Sequence, residues 1–212
     1  YHLGNGWIIT NAHVVIPKYV EIQVSQYFLW GVPIDRIVDI DYSVGNSLIG
    51  RAHGRLIWVD EEKDLALLWV DPKMTPILRD SNYSTSWTSS EYESLLHPGD
   101  AVATIVKVRD PDGSKSWHYE VRYGTIVSPK VILPKGCPPD FLPWFSPYDF
   151  TMDLTIYPGD SGSPVFAFID GKPVIIGIAR ALAWYRDEIT GEISTYSYAT
   201  RIDIVHRKML ER

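Results

Sequence analysis

Three short segments carry the residue types that can turn a hydroxyl into a nucleophile. Gly159-Asp160-Ser161-Gly162-Ser163-Pro164 follows an apolar run late in the chain, Ile8-Ile9-Thr10-Asn11-Ala12-His13-Val14-Val15 stands near its start, and Asp64-Leu65-Ala66-Leu67-Leu68 lies between them. A serine hydroxyl is weak at neutral pH. It needs a base within hydrogen-bond reach and a carboxylate that holds that base in the right tautomer. His13, Asp64 and Ser161 supply base, acid and nucleophile for acyl transfer. Each has a plainer reading alone: Ser161 as a turn residue between glycines, His13 as a core histidine closing a β-branched run, Asp64 as the opening of a strand. Together, each in a matching local context, they favour the chemistry.

A different hydrolase arrangement can be tested on the same letters. A nucleophile elbow requires Gly-x-Ser-x-Gly, with the acid and the histidine after the serine. Here Ser163 stands where the second glycine is needed, and both partners precede Ser161. That arrangement fails on both counts.

The elements that must position these residues read as strands. Short β-branched and aromatic runs are punctuated by Asn5-Gly6, Asp112-Gly113, Asp170-Gly171 and Thr190-Gly191, all hairpin signals. The pattern is all-β. Helical periodicity is expected only at the C-terminus, where Asp203 is placed to cap a helix over residues 204–210. The polar, aperiodic stretch 79–90 reads as a connection, so the expected organisation is a first unit over 1–80, a linker over 81–96 and a second unit over 97–212. Six prolines fall between Pro129 and Pro147, among Phe141, Leu142, Trp144 and Phe145. No regular element tolerates that. The stretch is either a substrate-facing or partner-docking loop, or a loop pinned by its own aromatics.

Composition narrows the partners. With 212 residues and 45% hydrophobic content a real core is within reach. The net charge of −6 comes without a block of like charges, so nucleic acid is excluded as an expected partner. Cys137 is the single cysteine, which rules out an intrachain disulfide, and no base stands near it in sequence to make it a nucleophile. No apolar stretch approaches the roughly 20 residues that span a bilayer, and no leader is read ahead of Gly4, so a soluble chain of unassigned compartment is expected. The histidines His2, His53, His97, His118 and His206 lack the spacing of a zinc site, and Asp110-Pro111-Asp112-Gly113-Ser114 lacks the ligands of a calcium loop. Neither metal nor cofactor is expected. The eight tryptophans and thirteen tyrosines read as core and rim.

Taken together, these segments resemble the chymotrypsin-like serine proteases, and among them the HtrA/Deg-type (trypsin-like) peptidase domains. The likeness rests on the three segments above and on His97-Pro98-Gly99-Asp100, Tyr123-Gly124-Thr125-Ile126-Val127-Ser128, Tyr157-Pro158 and Val174-Ile175-Ile176-Gly177-Ile178. It implies two perpendicular six-stranded Greek-key β-barrels with a short C-terminal helix, and a serine endopeptidase acting on protein or peptide through an acyl-enzyme. The alternative is a catalytically silent trypsin-like scaffold or protein-binding module that keeps the barrels. No PDZ domain is expected, because the chain ends shortly after Thr200-Arg201-Ile202. Only twelve residues precede His13, so the first N-terminal strand is expected to be missing, with an upstream segment or a homo-oligomer as the partner that would complete the first barrel.

The resemblance also implies site residues. Gly159 and Ser161 would supply the backbone N–H groups of an oxyanion hole. The substrate pocket would have Thr155 at its base, Ser197 on a wall strand and Arg180, Ala181 and Leu182 along its rim. With no carboxylate at the base, a preference for Lys or Arg is disfavoured. Ala179 stands where glutamyl endopeptidases place a histidine, which disfavours an acidic preference unless Arg180 turns inward. Leu182 would narrow the entrance toward small or medium apolar side chains. HtrA-type enzymes usually carry asparagine at the position of Asp160, and trypsin-like zymogens pair that aspartate with a new N-terminal amine. The expectation here is that Asp160 bonds to internal donors instead.

Overall fold

A computed structural model of the chain describes residues 2–4, 6–15, 37–44, 47–71, 96–110, 117–137, 139, 145–186 and 189–205. Contacts divide the chain into two compact units, Tyr1–Asn82 and Tyr83–Arg212. The expected 81–96 linker lies outside the described residues except at Leu96, as do Asp112-Gly113, the aromatics 141–144 and residues 206–210.

The first unit is built on one apolar run. Strands β1 (His2–Gly4), β2 (Trp7–Thr10), β3 (Ile37–Val44), β4 (Ser47–Asp60) and β5 (Leu65–Trp69) form an antiparallel sheet in the order β1-β2-β5-β4-β3. Strand β5 lies in the middle, and Leu65, Ala66, Leu67 and Leu68 are all buried. A continuous apolar run of this length suits a strand covered on both faces. It pairs with β2 through Ile9 and Leu67, and with β4 through Trp58 and Leu67. Ahead of the histidine segment, β1 pairs antiparallel with β2, His2 opposite Ile8 and Gly4 opposite Trp7. A four-residue helix, α1 (Ala12–Val15), follows β2 after Asn11.

The second unit is a closed six-stranded barrel in the order β10-β11-β8-β7-β6-β9. Its strands are β6 (Ala101–Arg109), β7 (Trp117–Ser128), β8 (Asp149–Met152), β9 (Pro164–Ile169), β10 (Lys172–Arg186) and β11 (Ile193–Arg201). Closure removes sheet edges and turns alternate side chains inward. Val102, Val106, Ile126, Phe150, Met152, Val165, Ile176, Ile178 and Tyr198 are all buried on its strands, each contributing about 1.5–3 kcal/mol if an aliphatic or Phe side chain is fully buried. The Asp170-Gly171 turn joins β9 to β10 with both φ angles positive, 51° and 71°, the requirement of a two-residue type I′ hairpin.

Strand β10 carries a bulge between Ala179 and Ala181, where its register with β11 slips by one residue at Arg180. Bulges re-aim a side chain and gather near active sites. After β11, residues 203–205 begin a helical turn, and Asp203 takes two bonds from Arg201, Nε to Oδ1 at 3.1 Å and Nη2 to Oδ2 at 3.0 Å.

Candidate active site

In the first unit the sequence brings a base and an acid together. Asn11 alone separates β2 from α1, so His13 sits on the first turn after the strand with its side chain 39% exposed. Asp64 closes the turn between β4 and β5, its N–H donating to the Glu61 carbonyl at 3.2 Å, with a left-handed φ of 53°. Aspartate tolerates that region better than most residues. The resulting grip has two points: Asp64 Oδ2 meets His13 Nδ1 at 2.7 Å, and Oδ1 accepts the His13 backbone N–H at 2.9 Å. A carboxylate on Nδ1 places that ring proton there and leaves Nε2 as the nitrogen able to accept one. Buried Asn11 adds a third tie, its Nδ2 donating to the Asp64 carbonyl at 3.1 Å.

The second unit holds Ser161 on a loop tied to β10. Gly162 donates to the Ala179 carbonyl at 3.0 Å and Ala179 donates back to Ser163 at 2.8 Å. Within the loop, Asp160 N–H bonds Tyr157 O and Ser163 N–H bonds Asp160 O, both at 3.0 Å. Gly159 has a φ of 103°, a conformation a side chain would strain, although its Cβ position meets no atom within 4 Å. The N–H groups of Gly159 and Ser161 donate to no acceptor among the described residues. The Ser161 hydroxyl lies 3.4 Å from the Arg180 carbonyl, at the long limit of a hydrogen bond.

Asp160 is bonded to internal donors, as its departure from asparagine suggested. Arg122 Nη1 reaches Oδ2 at 2.5 Å and the Tyr157 N–H reaches the same oxygen at 2.7 Å. The pocket residues also fall in this unit. Thr155 is exposed, with its carbonyl 3.5 Å from Arg122 Nη1. Leu182 and buried Ser197 are direct cross-strand partners on β10 and β11, and Ala181 faces Tyr198.

Arg180 does turn inward, though toward an acid of its own. Its Nη1 pairs with Asp149 Oδ2, on a carboxylate that is fully buried and also accepts the Thr200 hydroxyl at 2.7 Å and the Ser146 N–H at 2.8 Å. Burial pushes the Asp149 carboxyl above its ordinary value, and the Arg180 charge and the Thr200 bond partly offset that. Sequence reasoning missed Asp149, Arg122 and Glu120. The signal for the last two was present as charged His118, Glu120 and Arg122 alternating along one face of β7.

Among the described residues no three His, Cys, Asp or Glu side chains gather as metal ligands would, and no helix is long and apolar enough to cross a membrane, a statement about helices alone.

This fold and this pair of sites define the class. Residues 2–178 match the family model of the trypsin-like peptidase domain, and the chain belongs to that family. Among solved structures it is similar to the MamO protease domain from Magnetospirillum magneticum in its apo form, at 14% identity over 97% of this chain and 83% of that one, with a TM-score of 0.52. It is also similar to Deg5, at 20% identity over 96% and 76% of the two chains, with a TM-score of 0.54. These likenesses show the chymotrypsin-like fold. No curated protein matches the sequence.

Proposed function

We propose that the chain is a serine endopeptidase in which His13, Asp64 and Ser161 act as one catalytic trio. The observation that carries the reading is the bond of 2.7 Å between His13 Nδ1 and Asp64 Oδ2, which leaves Nε2 to act as base. In this mechanism His13 takes the Ser161 proton as Oγ attacks the scissile carbonyl. The tetrahedral adduct collapses, the C–N bond breaks, and His13 returns the proton to the leaving amine. Water, activated by His13, then attacks the ester and releases Ser161. Asp64 stabilises the imidazolium that forms in each half.

The unused N–H groups of Gly159 and Ser161 support their role as the oxyanion hole, a pair of donors each worth about 2.7–4 kcal/mol of barrier in measured enzymes. For the substrate, Thr155, Leu182 and Ser197 carry no charge, and the Arg180 guanidinium is engaged by Asp149. The pocket therefore suits small or medium apolar side chains.

A fluorophosphonate probe tests the reading, with a peptide library beside it. Ser161 is expected to be labelled, Ser161→Ala to lose labelling and about 10⁶-fold in kcat, and cleavage to fall after small apolar residues. Failure of the folded chain to label and to cleave would favour the silent scaffold, and cleavage mainly after Arg or Glu would refute the pocket assignment.

A further inference from the structure

The loop that carries Ser161 is held by one cation. Arg122, on β7, lies between two carboxylates: Nη1 on Asp160, and Nε and Nη2 on Glu120 Oε2 at 3.3 and 3.2 Å. The guanidinium also sits over the Tyr157 ring, 4.8 Å from its centroid, at cation–π distance. Tyr157 and Asp160 bracket Gly159, so one side chain touches both ends of the segment that leads into Ser161. Asp160 is only 7% exposed and Arg122 16%, so the pair is shielded from water.

Resting on the endopeptidase reading, we infer that Arg122 is the positioning residue of the oxyanion hole: by compensating Asp160 it holds Gly159 and Ser161 ready, with no amine from a cleaved chain end required. A buried carboxylate without its cation is costly and would leave the loop to rearrange. A strand-borne guanidinium supplies that charge permanently, since it keeps its proton throughout the range in which an amine would lose it. Glu120 fixes the fork from the other side. His118, on the same face of β7, bonds Glu120 Oε1 at 3.1 Å and Asp110 at 2.5 Å, extending the row away from the loop.

The test compares wild type, Arg122→Ala and Arg122→Lys on a short peptide substrate and on a peptide boronic acid, whose tetrahedral adduct needs the same N–H donors. Arg122→Ala should lose about 10²–10³-fold in kcat, the scale of a lost oxyanion donor, with KM little changed, boronate affinity falling in step and millimolar guanidinium restoring part of both. Arg122→Lys should lose less at pH 8, then decline further as the pH passes the ordinary lysine value of about 10.4, where wild type does not. If the alanine variant does not fold, the alkaline limb of the lysine variant carries the test. An active wild type with Arg122→Ala equally fast, or slowed only through KM, overturns the inference alone, as does a lysine variant with no alkaline limb. A wild type that neither labels nor cleaves overturns the endopeptidase reading and this inference with it.

Discussion

The two units each set an aspartate beside a candidate catalytic residue, and they hold it by different means. Asp64 grips one residue twice, taking the ring of His13 with one oxygen and its backbone N–H with the other. Asp160 instead gathers two residues from different places onto one oxygen, Arg122 from β7 and Tyr157 from the loop. The first arrangement fixes the orientation of a single ring. The second fixes a segment of backbone. An acid of the first kind should matter to rate far more than to stability, and ion pairs of the second kind to both.

The sharpest way to break that contrast is Asp64→Asn. Asparagine also adopts the left-handed φ of 53° seen here, and its Oδ1 can still accept the His13 N–H. At the ring, an amide donor or a neutral oxygen replaces the anion facing Nδ1. The expected outcome is a loss of about 10⁴-fold in kcat, as when a triad carboxylate is replaced by its amide, with a nearly unchanged melting temperature. A rate loss below about tenfold, or an unfolded variant, would show that Asp64 acts on the fold and not on the ring.

The opposite case is the ion pair beneath Ser161. Asp149 is fully buried and Arg180 14% exposed, and breaking such a pair from one side costs about 3–5 kcal/mol because a charge stays behind. Asp149→Ala should lose about that much in urea unfolding, with Asp149→Asn losing less by keeping bonds to Thr200 and Ser146. Loss under about 1 kcal/mol, the worth of an exposed pair, would remove this site from the stabilising set.

How much of this was legible in the letters follows from how local each signal is. The hairpin at Asp170-Gly171 was readable because two adjacent residues with positive φ have few substitutes. The strand that opens after Asp64 was readable as such, its burial on both faces was not, and the candidate trio was readable from three segments that each carry their own context. The ties of Asp149 to Arg180 and Asp160 to Arg122 were not, because they join residues 31 and 38 positions apart and no local pattern names the distant partner. The bulge that re-aims Arg180 is a property of register between β10 and β11, which no single strand encodes. The departure at Asp160 did announce that a donor was needed, but not which one.

The smallest expected effect lies at the far end of the same charged row. Bonds from Asp110 first, and then Glu120, hold the His118 imidazole above its ordinary value, while His118 and then Arg122 hold the Glu120 carboxyl below its own. The sign for stability follows: a histidine whose folded value is raised stabilises the fold fully below its unfolded value near 6.5, and that contribution is lost as the pH rises through the raised folded value. In an NMR titration His118 should therefore report a midpoint above 6.5. Asp110→Asn should lower that midpoint more than Glu120→Gln, in the order of the two bonds. A midpoint at or below 6.5 would mean that the row ends at Glu120, and that the clamp on the Ser161 loop stands without help from His118.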